Sequence, residues 1–204
     1  MCRSLARTLR AAAPQVPPAL SVMPDKQLAA PLQLRRAVLS DATALARFAA
    51  RTFTEAFGAE NRPEDLAAHL TRSYGVAQQS IELADPKYIT LVMQGPDGLA
   101  AYAQVRLSVP PPCVETSEPV ELLRFYVDRR WHGQGVAQRL MEEVFAAAAE
   151  LGGRSVWLSV WERNPRGIAF YEKQGYRDAG SAVFYVGEDG QSDRILVAAL
   201  VREE

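Results

Sequence analysis

The chain has little cysteine, and its two thiols lie far apart. Cys2 and Cys113 are the only cysteines among 204 residues. They do not have the spacing of a metal site, and they do not form a disulfide framework. The sequence therefore predicts free thiols in a reducing compartment, the cytoplasm, and no metal cofactor.

The chain also lacks a strong charge and a long apolar run. Its formal net charge is -1, which argues against a general surface for nucleic acid or anionic membrane. No apolar run approaches the roughly 20 residues that span a bilayer. Hydrophobic residues make up 48% of the chain, so a sizeable core is available. We expect a soluble protein with no nucleic-acid or membrane partner. The sequence does not decide whether the protein forms a homodimer.

The first thirty residues differ in composition from the rest. Three arginines lie among alanines with no acidic residue before Asp25, and four prolines forbid a long helix. An organellar presequence is one interpretation, because such segments are rich in arginine and poor in acids. We prefer a disordered extension, which a start codon placed before a true start at Met23 would explain. The chain is thus divided into an extension, 1–30, and a single domain, 31–204.

The central stretch, residues 121–138, predicts a strand, a glycine turn and a helix. Residues 122–127 are strand-forming, Gly133 and Gly135 make the turn, and an amphipathic helix opens at Val136. Glycines let the backbone approach a bulky anion, and the unpaired N–H groups of a first helical turn favour negative charge. The pattern predicts a phosphate site, although a plain strand-to-helix connection uses the same residue types.

Two motifs resemble those of the GCN5-related N-acetyltransferase (GNAT) superfamily. Its coenzyme A loop, Gln/Arg-x-x-Gly-x-Gly/Ala, is matched by residues 132–137, with His132 where Gln or Arg is usual. Its later motif, Asn-x-x-Ala-x-x-Phe-Tyr-x-x-x-Gly-Phe/Tyr, is matched from Asn164 to Tyr176, with Gly167 in place of an expected Ala. The resemblance covers roughly residues 32–200.

Further segments resemble the bacterial spermidine/spermine N-acetyltransferase branch of that superfamily. They are residues 52–57, 61–64, 157–164 and 184–187. The resemblance implies a small polyamine as the acetyl acceptor. A peptide or protein amine, or another amino compound, is the alternative acceptor. A coenzyme A-binding regulatory module without turnover is the alternative function.

The resemblance implies an α/β fold with a mixed, mostly antiparallel sheet, a splayed parallel strand pair and flanking helices. The order of predicted elements, β-α-α-β-β-β-α-β-α-β-β, is the GNAT arrangement. A helical crossover makes the central strand and the strand after it parallel. The expected strands are 32–37, 88–94, 99–107, 120–127, 155–160, 176–186 and 193–200, with a short third helix ending near Ala84.

The resemblance also implies acyl transfer from acetyl-coenzyme A to an amine. Backbone amides from Gly133 to Ala137 are expected to hold the phosphates, and the pantetheine to pair with the strand ending at Val127. A main-chain N–H near Tyr126 or Val127 would stabilise the carbonyl oxygen of the thioester. The predicted cofactor contacts are Phe125, Tyr126, Val127, His132, Gly133, Gln134, Gly135, Val136, Ala137, Gln138, Asn164, Arg166 and Tyr171.

Two side chains are predicted to move protons. Tyr171 keeps its phenolic proton at neutral pH and is expected to protonate the leaving thiolate, its alternative being core packing. Glu121 is expected to take the proton of the acceptor ammonium, directly or through water, or to anchor it; its alternative is a surface charge. By alternation Glu121 shares a strand face with Leu123, Phe125 and Val127 unless a bulge intervenes. A polyamine needs further carboxylates, for which Glu55, Glu60, Glu115 and Glu118 are candidates.

Overall fold

The computed structural model describes residues 32–186 and 189–200. The predicted extension, residues 1–30, lies outside the described residues and stays a prediction. Within the described ranges, no helix is long and apolar enough to cross a membrane.

The described chain folds in the predicted order, with the short third helix as a separate element. The last strand begins at Asp189, four positions before the expected Asp193, because it pairs with the preceding strand as far as Val186. The elements are β1 Gln33–Arg36, α1 Ala42–Phe57, α2 Pro63–Tyr74, α3 Val76–Ala84, β2 Tyr88–Gly95, β3 Gly98–Arg106, β4 Pro119–Val127, α4 Val136–Glu150, β5 Ser155–Trp161, α5 Pro165–Lys173, β6 Arg177–Val186 and β7 Asp189–Ala199.

The strands form one seven-stranded sheet in the order β1-β2-β3-β4-β5-β7-β6. Neighbouring strands are antiparallel except β4 and β5. These two pair only from Pro119 opposite Ser155 to Glu121 opposite Trp157, although both strands continue beyond that point. The parallel pair therefore separates towards its C-terminal end, which confirms the predicted splay.

Helices cover both faces of the sheet. On one face, Val136, Leu140 and Val144 of α4 pack with sheet residues in the larger core cluster, and α5 packs against its edge. This spacing places apolar side chains along one stripe of α4. On the other face, Leu45 and Phe53 of α1 pack in a second cluster with residues of α2 and the sheet. The gap between β4 and β5 thus opens towards helices on both sides.

A bulge in β4 decides which face each side chain reaches. Arg124 pairs with Gln104, but Leu122 pairs with the next residue of β3, so Leu123 is an additional residue. The insertion reverses the alternation. Phe125 and Val127 pack in the larger cluster with Leu122 and α4, whereas Glu121 lies on the opposite face, where α1 and α2 pack. Alternation alone would place Glu121 on the face of Phe125 and Val127, and the bulge is the stated exception that moves it to the other face.

Candidate active site

A cavity of about 710 Å³ occupies the gap between β4 and β5. Its lining includes Phe125 and Tyr171 from the α4 and α5 face, and Phe53 and Tyr74 from the α1 and α2 face, so it connects the two faces of the sheet. The predicted site residues that line it are Glu121, Phe125, Tyr126, Val127, His132, Ala137, Asn164, Arg166 and Tyr171. Gly133, Gln134, Gly135, Val136 and Gln138 are not part of this lining and lie in the turn and first helical residues beside it.

The turn after β4 is fixed by a buried carboxylate. Asp128 is 3% exposed and accepts a hydrogen bond from the backbone N–H of Arg130 at 3.0 Å. It also pairs with the side chains of Arg130 and of Arg51 on α1. Burial alone would raise its pKa, but the hydrogen bonds from Arg130 and Arg51 hold the pKa of Asp128 well below its usual range. The charged form therefore ties the turn to α1.

Two predicted cofactor contacts instead bind the backbone of this turn. The Nε2 atom of His132 lies 2.9 Å from the carbonyl oxygen of Val127. Because a carbonyl oxygen can only accept, Nε2 carries the proton in this bond. The amide of Gln134 donates to the carbonyl oxygen of Arg130 at 2.6 Å. In this conformation both side chains shape the loop.

The backbone from Gly133 into α4 has the properties of a phosphate cradle. Gly133 and Gly135 have φ values of 74° and 77°, and a Cβ on either would meet nothing within 4 Å. Within the described chain, no backbone carbonyl accepts from the N–H groups of residues 133–138. These donors lie at the N-terminal end of α4, where the helix dipole is positive. Open space, unpaired donors and the dipole together fit the phosphate groups of coenzyme A.

Tyr171 lies on α5, across the gap from the face of the sheet that α1 and α2 cover. It is half-buried, and its ring packs edge-on against Phe125 at 6.3 Å and against Phe170 and Tyr176. Burial raises the pKa of Tyr171 above its ordinary value, so the phenol keeps its proton at neutral pH. Among the residues that the structure describes, none forms a hydrogen bond with its hydroxyl, which leaves that group available to a ligand.

Glu121 is buried at the closed end of the gap. Its Oε2 atom accepts a hydrogen bond from Nε of Arg106 at 2.6 Å, and Arg106 also donates to the hydroxyl of Tyr88. Tyr171 contacts Phe125, which lies four positions further along β4. With a rise of about 3.3 Å per residue and one bulged residue, this separates Glu121 from the level of Tyr171 by roughly 10 Å along the strand.

The start of α5 explains the departure at Gly167. The Oδ1 atom of Asn164 accepts from the backbone N–H of Gly167 at 2.9 Å, so Asn164 caps the helix as its position predicts. A Cβ at position 167 would lie 2.7 Å from Nδ2 of Asn164, and glycine therefore suits this capping geometry. Arg166 is exposed, lines the cavity, and forms no ion pair within the described residues.

A buried ion pair lies on the side of the cavity that α1 and α2 cover. Arg124 on β4 and Glu82 on α3 are 8% and 3% exposed and form a salt bridge at 2.5 Å. Arg124 also donates to Gln104 and to the backbone of Ser73, and its guanidinium lies over the ring of Tyr74. The pair neutralises a charge that would otherwise be costly at this depth. Its partners lie far apart in sequence, which explains why no local pattern predicts it.

Aromatic rings also line the side of the cavity that α1 and α2 cover. His69 of α2 stacks on Phe53 at 4.7 Å and meets Phe184 edge-on. Burial, with additional repulsion from Arg72 and Arg124, lowers the pKa of His69 to about 4, so this imidazole is neutral at physiological pH. The sequence contains no signal that His69 lines the cavity, because a single histidine on an amphipathic helix belongs to no motif.

The carboxylates predicted for a polyamine do not converge on this wall. Glu55 lines the cavity, but it is ion-paired with Arg51 at 2.9 Å. Glu118 pairs with Arg154. Glu60 and Glu115 are exposed and outside the lining. Of these four acids, the structure thus places only Glu55 in the cavity lining.

Comparisons with known proteins agree with this fold. The model of the acetyltransferase (GNAT) family matches residues 43–176. An uncharacterized N-acetyltransferase of Mycobacterium tuberculosis is 32% identical over 163 residues, covering 80% of this chain and all of that protein. An uncharacterized N-acetyltransferase of Lactobacillus delbrueckii is 30% identical over 152 residues, covering 74% of this chain and 87% of that protein.

Among solved structures, this chain is similar to the PaiA N-acetyltransferase of Thermoplasma acidophilum in complex with coenzyme A. The TM-score is 0.67 at 16% identity, covering 83% of this chain and 99% of that one, which supports the fold. The chain belongs to the acetyltransferase (GNAT) family, and it is an N-acetyltransferase that uses acetyl-coenzyme A.

Proposed function

We propose that this enzyme acetylates the primary amine of a small molecule that carries a single ammonium group. The observation that carries the proposal is the cavity through the strand gap. It connects the face that holds Tyr171 with the aromatic face under α1 and α2. A thioester and an amine can therefore meet within the sheet from opposite sides.

Different groups of the site carry out the separate steps of the reaction. The N–H groups from Gly133 to Ala137 would bind the phosphates, and the backbone near Tyr126 and Val127 would polarise the thioester carbonyl. The acceptor ammonium loses one proton, and its neutral nitrogen attacks the carbonyl carbon. As the C–N bond forms and the C–S bond breaks, the phenol of Tyr171 protonates the sulfur, and the second proton lost by the nitrogen restores the phenol through water.

Glu121 is the proposed proton acceptor for the amine, acting through water. Direct contact is disfavoured by its offset of roughly 10 Å along the strand from the level of Tyr171. Its Oε2 atom is engaged by Arg106, and Oε1 has no hydrogen-bond donor among the described residues. A water chain from Oε1 would span the offset.

The charges of the lining favour a monoamine over the polyamine implied by sequence resemblance. Among the residues that the structure describes, three carboxylates line the cavity, and the pairing of Glu55 and Glu121 with arginines leaves little negative charge for a ligand. A polyamine adds several positive charges, which repel the lining cations. Among the described residues, the lining arginines that are not paired with a carboxylate are Arg72 and Arg166.

A panel of amines with acetyl-coenzyme A tests this function by following release of free thiol. The panel contains 2-phenylethylamine, spermidine and a short peptide with a free N-terminus. We expect amine-dependent thiol release, with kcat/KM highest for the monoamine. A higher kcat/KM for spermidine or for the peptide would identify that compound, instead of the monoamine, as the preferred acceptor. Coenzyme A binding without turnover on any amine would favour a regulatory module, although the available hydroxyl of Tyr171 argues against that alternative.

A further inference from the structure

Asp193 is a buried carboxylate at the acceptor side of the cavity. It lies on β7, is 6% exposed, and lines the cavity. The hydroxyl of Ser159 donates to its Oδ2 atom at 2.5 Å. Among the described residues it forms no ion pair, whereas the other two cavity carboxylates, Glu55 and Glu121, are paired with arginines. Asp193 therefore retains a negative charge that a cationic ligand can use.

The sheet register places Asp193 at the level of Tyr171. Asp193 pairs with Trp161, which lies four positions beyond Trp157 on β5. Trp157 pairs with Glu121, and Phe125, the ring that Tyr171 contacts, lies four positions beyond Glu121 on β4. Four positions advance about 13 Å along β5 and, because of the bulge at Leu123, roughly 10 Å along β4, so Asp193 and Tyr171 lie near one level of the gap, on opposite sides of the sheet.

Aromatic side chains line the same cavity as this carboxylate. Trp161 packs edge-on against Phe57 at 6.2 Å. The cavity is also lined by Trp157, Phe184 and His69. Rings of this kind bury an apolar group and attract an ammonium ion through their faces. The surroundings of Asp193 thus suit a cation attached to an apolar body.

Two ring nitrogens in the same lining have no partner. Trp157 and His69 are 6% and 4% exposed, and neither Nε1 of Trp157 nor Nδ1 of His69 forms a hydrogen bond in the described structure. Buried polar groups are normally paired, because an unpaired group loses its hydrogen bonds to water without compensation. Two such groups in the lining of one cavity indicate a site completed by a ligand.

We propose that Asp193, oriented by Ser159, binds the ammonium group of the acetyl acceptor, and that the surrounding rings hold an aromatic or apolar body next to it. This inference rests on the proposed function and narrows it to primary monoamines with such a body. The electrostatic environment of Asp193 agrees with this assignment. Burial raises the pKa of Asp193 above its ordinary value, the Ser159 bond opposes this, and Glu162 adds to it. A bound ammonium would supply the missing counter-charge.

Asp193→Asn in the full-length protein tests the proposal with 2-phenylethylamine as probe. Asn keeps the size of the side chain and removes its charge, so we expect kcat/KM for the amine to fall by at least tenfold, mainly through KM. Affinity for coenzyme A, measured by calorimetry, should stay unchanged. Asp178→Asn is the matched control, because Asp178 is exposed, pairs with Arg194 and does not line the cavity. We expect wild-type kinetics from it.

Ser159→Ala provides a second test if Asp193→Asn does not fold. It leaves the carboxylate in place without its hydroxyl donor, and the KM for 2-phenylethylamine should rise while coenzyme A affinity is kept. Unchanged amine kinetics in a folded Asp193→Asn variant, or in Ser159→Ala where it replaces that variant, would overturn the assignment while leaving the acetyltransferase function intact. If wild-type protein acetylates no amine in the panel, the proposed function itself fails.

Discussion

Glu121 and Arg106 face each other across β4 and β3, with 2.6 Å between Oε2 of the carboxylate and Nε of the guanidinium. Arg106 is half-buried and Glu121 is buried. Removing one charge therefore leaves the other uncompensated in a partly desolvated place. The structural and chemical effects of Glu121 must be separated by replacing both residues.

We expect Glu121→Gln to lower kcat/KM for the amine about 10²-fold, because a carboxamide cannot accept the proton. The variant should also melt at a lower temperature, since Arg106 loses its counter-ion. In the double variant Glu121→Gln with Arg106→Gln, stability should recover but activity should not. Steady-state kinetics and thermal melts check both. Recovery of activity in the double variant would assign Glu121 a purely structural role.

Tyr171→Phe keeps the ring and removes the hydroxyl that has no partner among the described residues. If Tyr171 protonates the thiolate, kcat should fall about 10²-fold or more, with little change in coenzyme A affinity. Tyr176→Phe is the control, since its hydroxyl contacts the sulfur of Met141 in the core and lies outside the cavity lining. Equal activity of both variants across pH would place the proton donor elsewhere.

Gly135→Glu places a side chain and a negative charge at the phosphate cradle. We expect coenzyme A affinity to fall at least about tenfold, or 1.4 kcal/mol, in calorimetric titrations. Gly152→Glu is matched to it, because Gly152 lies just beyond the other end of α4, also has a positive φ, of 84°, and is also open around its Cβ position. Both substitutions carry the same backbone strain. Similar affinity losses in the two variants would contradict the cradle.

His69 should make the stability of the enzyme sensitive to mild acid. Its pKa in the folded chain is about 4, below the ordinary 6.5. Between these values the unfolded chain binds a proton that the folded chain does not, so stability decreases as pH falls from 6.5 towards 4. His69→Phe retains an aromatic ring and should lose less stability between pH 7 and 4.5 than the wild type in denaturant titrations. Parallel losses would show that His69 is protonated in the folded chain.

The parts of the fold predicted correctly depend on local sequence. Gly133 and Gly135 between a strand and a helix, and Asn164 at a helix start, define their structures within a few residues. The hairpin from β2 to β3 is equally local, since a short glycine turn joins two apolar strands. Such features need no knowledge of distant partners.

The features that were missed depend on pairing between distant segments. The bulge at Leu123 is a register relation between β3 and β4, and no residue type announces it. Ser159 and Asp193 are 34 residues apart and meet because β7, not β6, lies next to β5. The acids Glu60, Glu115 and Glu118 are predicted from their charge and their place in the chain, but the direction of their side chains is set by tertiary structure. Sequence therefore predicted the cofactor loop better than the acceptor pocket.

The separation of β4 from β5 after Glu121 and Trp157 also determines the expected kinetic mechanism. Because the gap opens on both faces of the sheet, one substrate need not leave before the other enters. A ternary complex can form, and the acetyl group can pass directly from sulfur to nitrogen without an acyl-enzyme. Double-reciprocal plots at several fixed amine concentrations should therefore intersect, and parallel lines would indicate a ping-pong route instead.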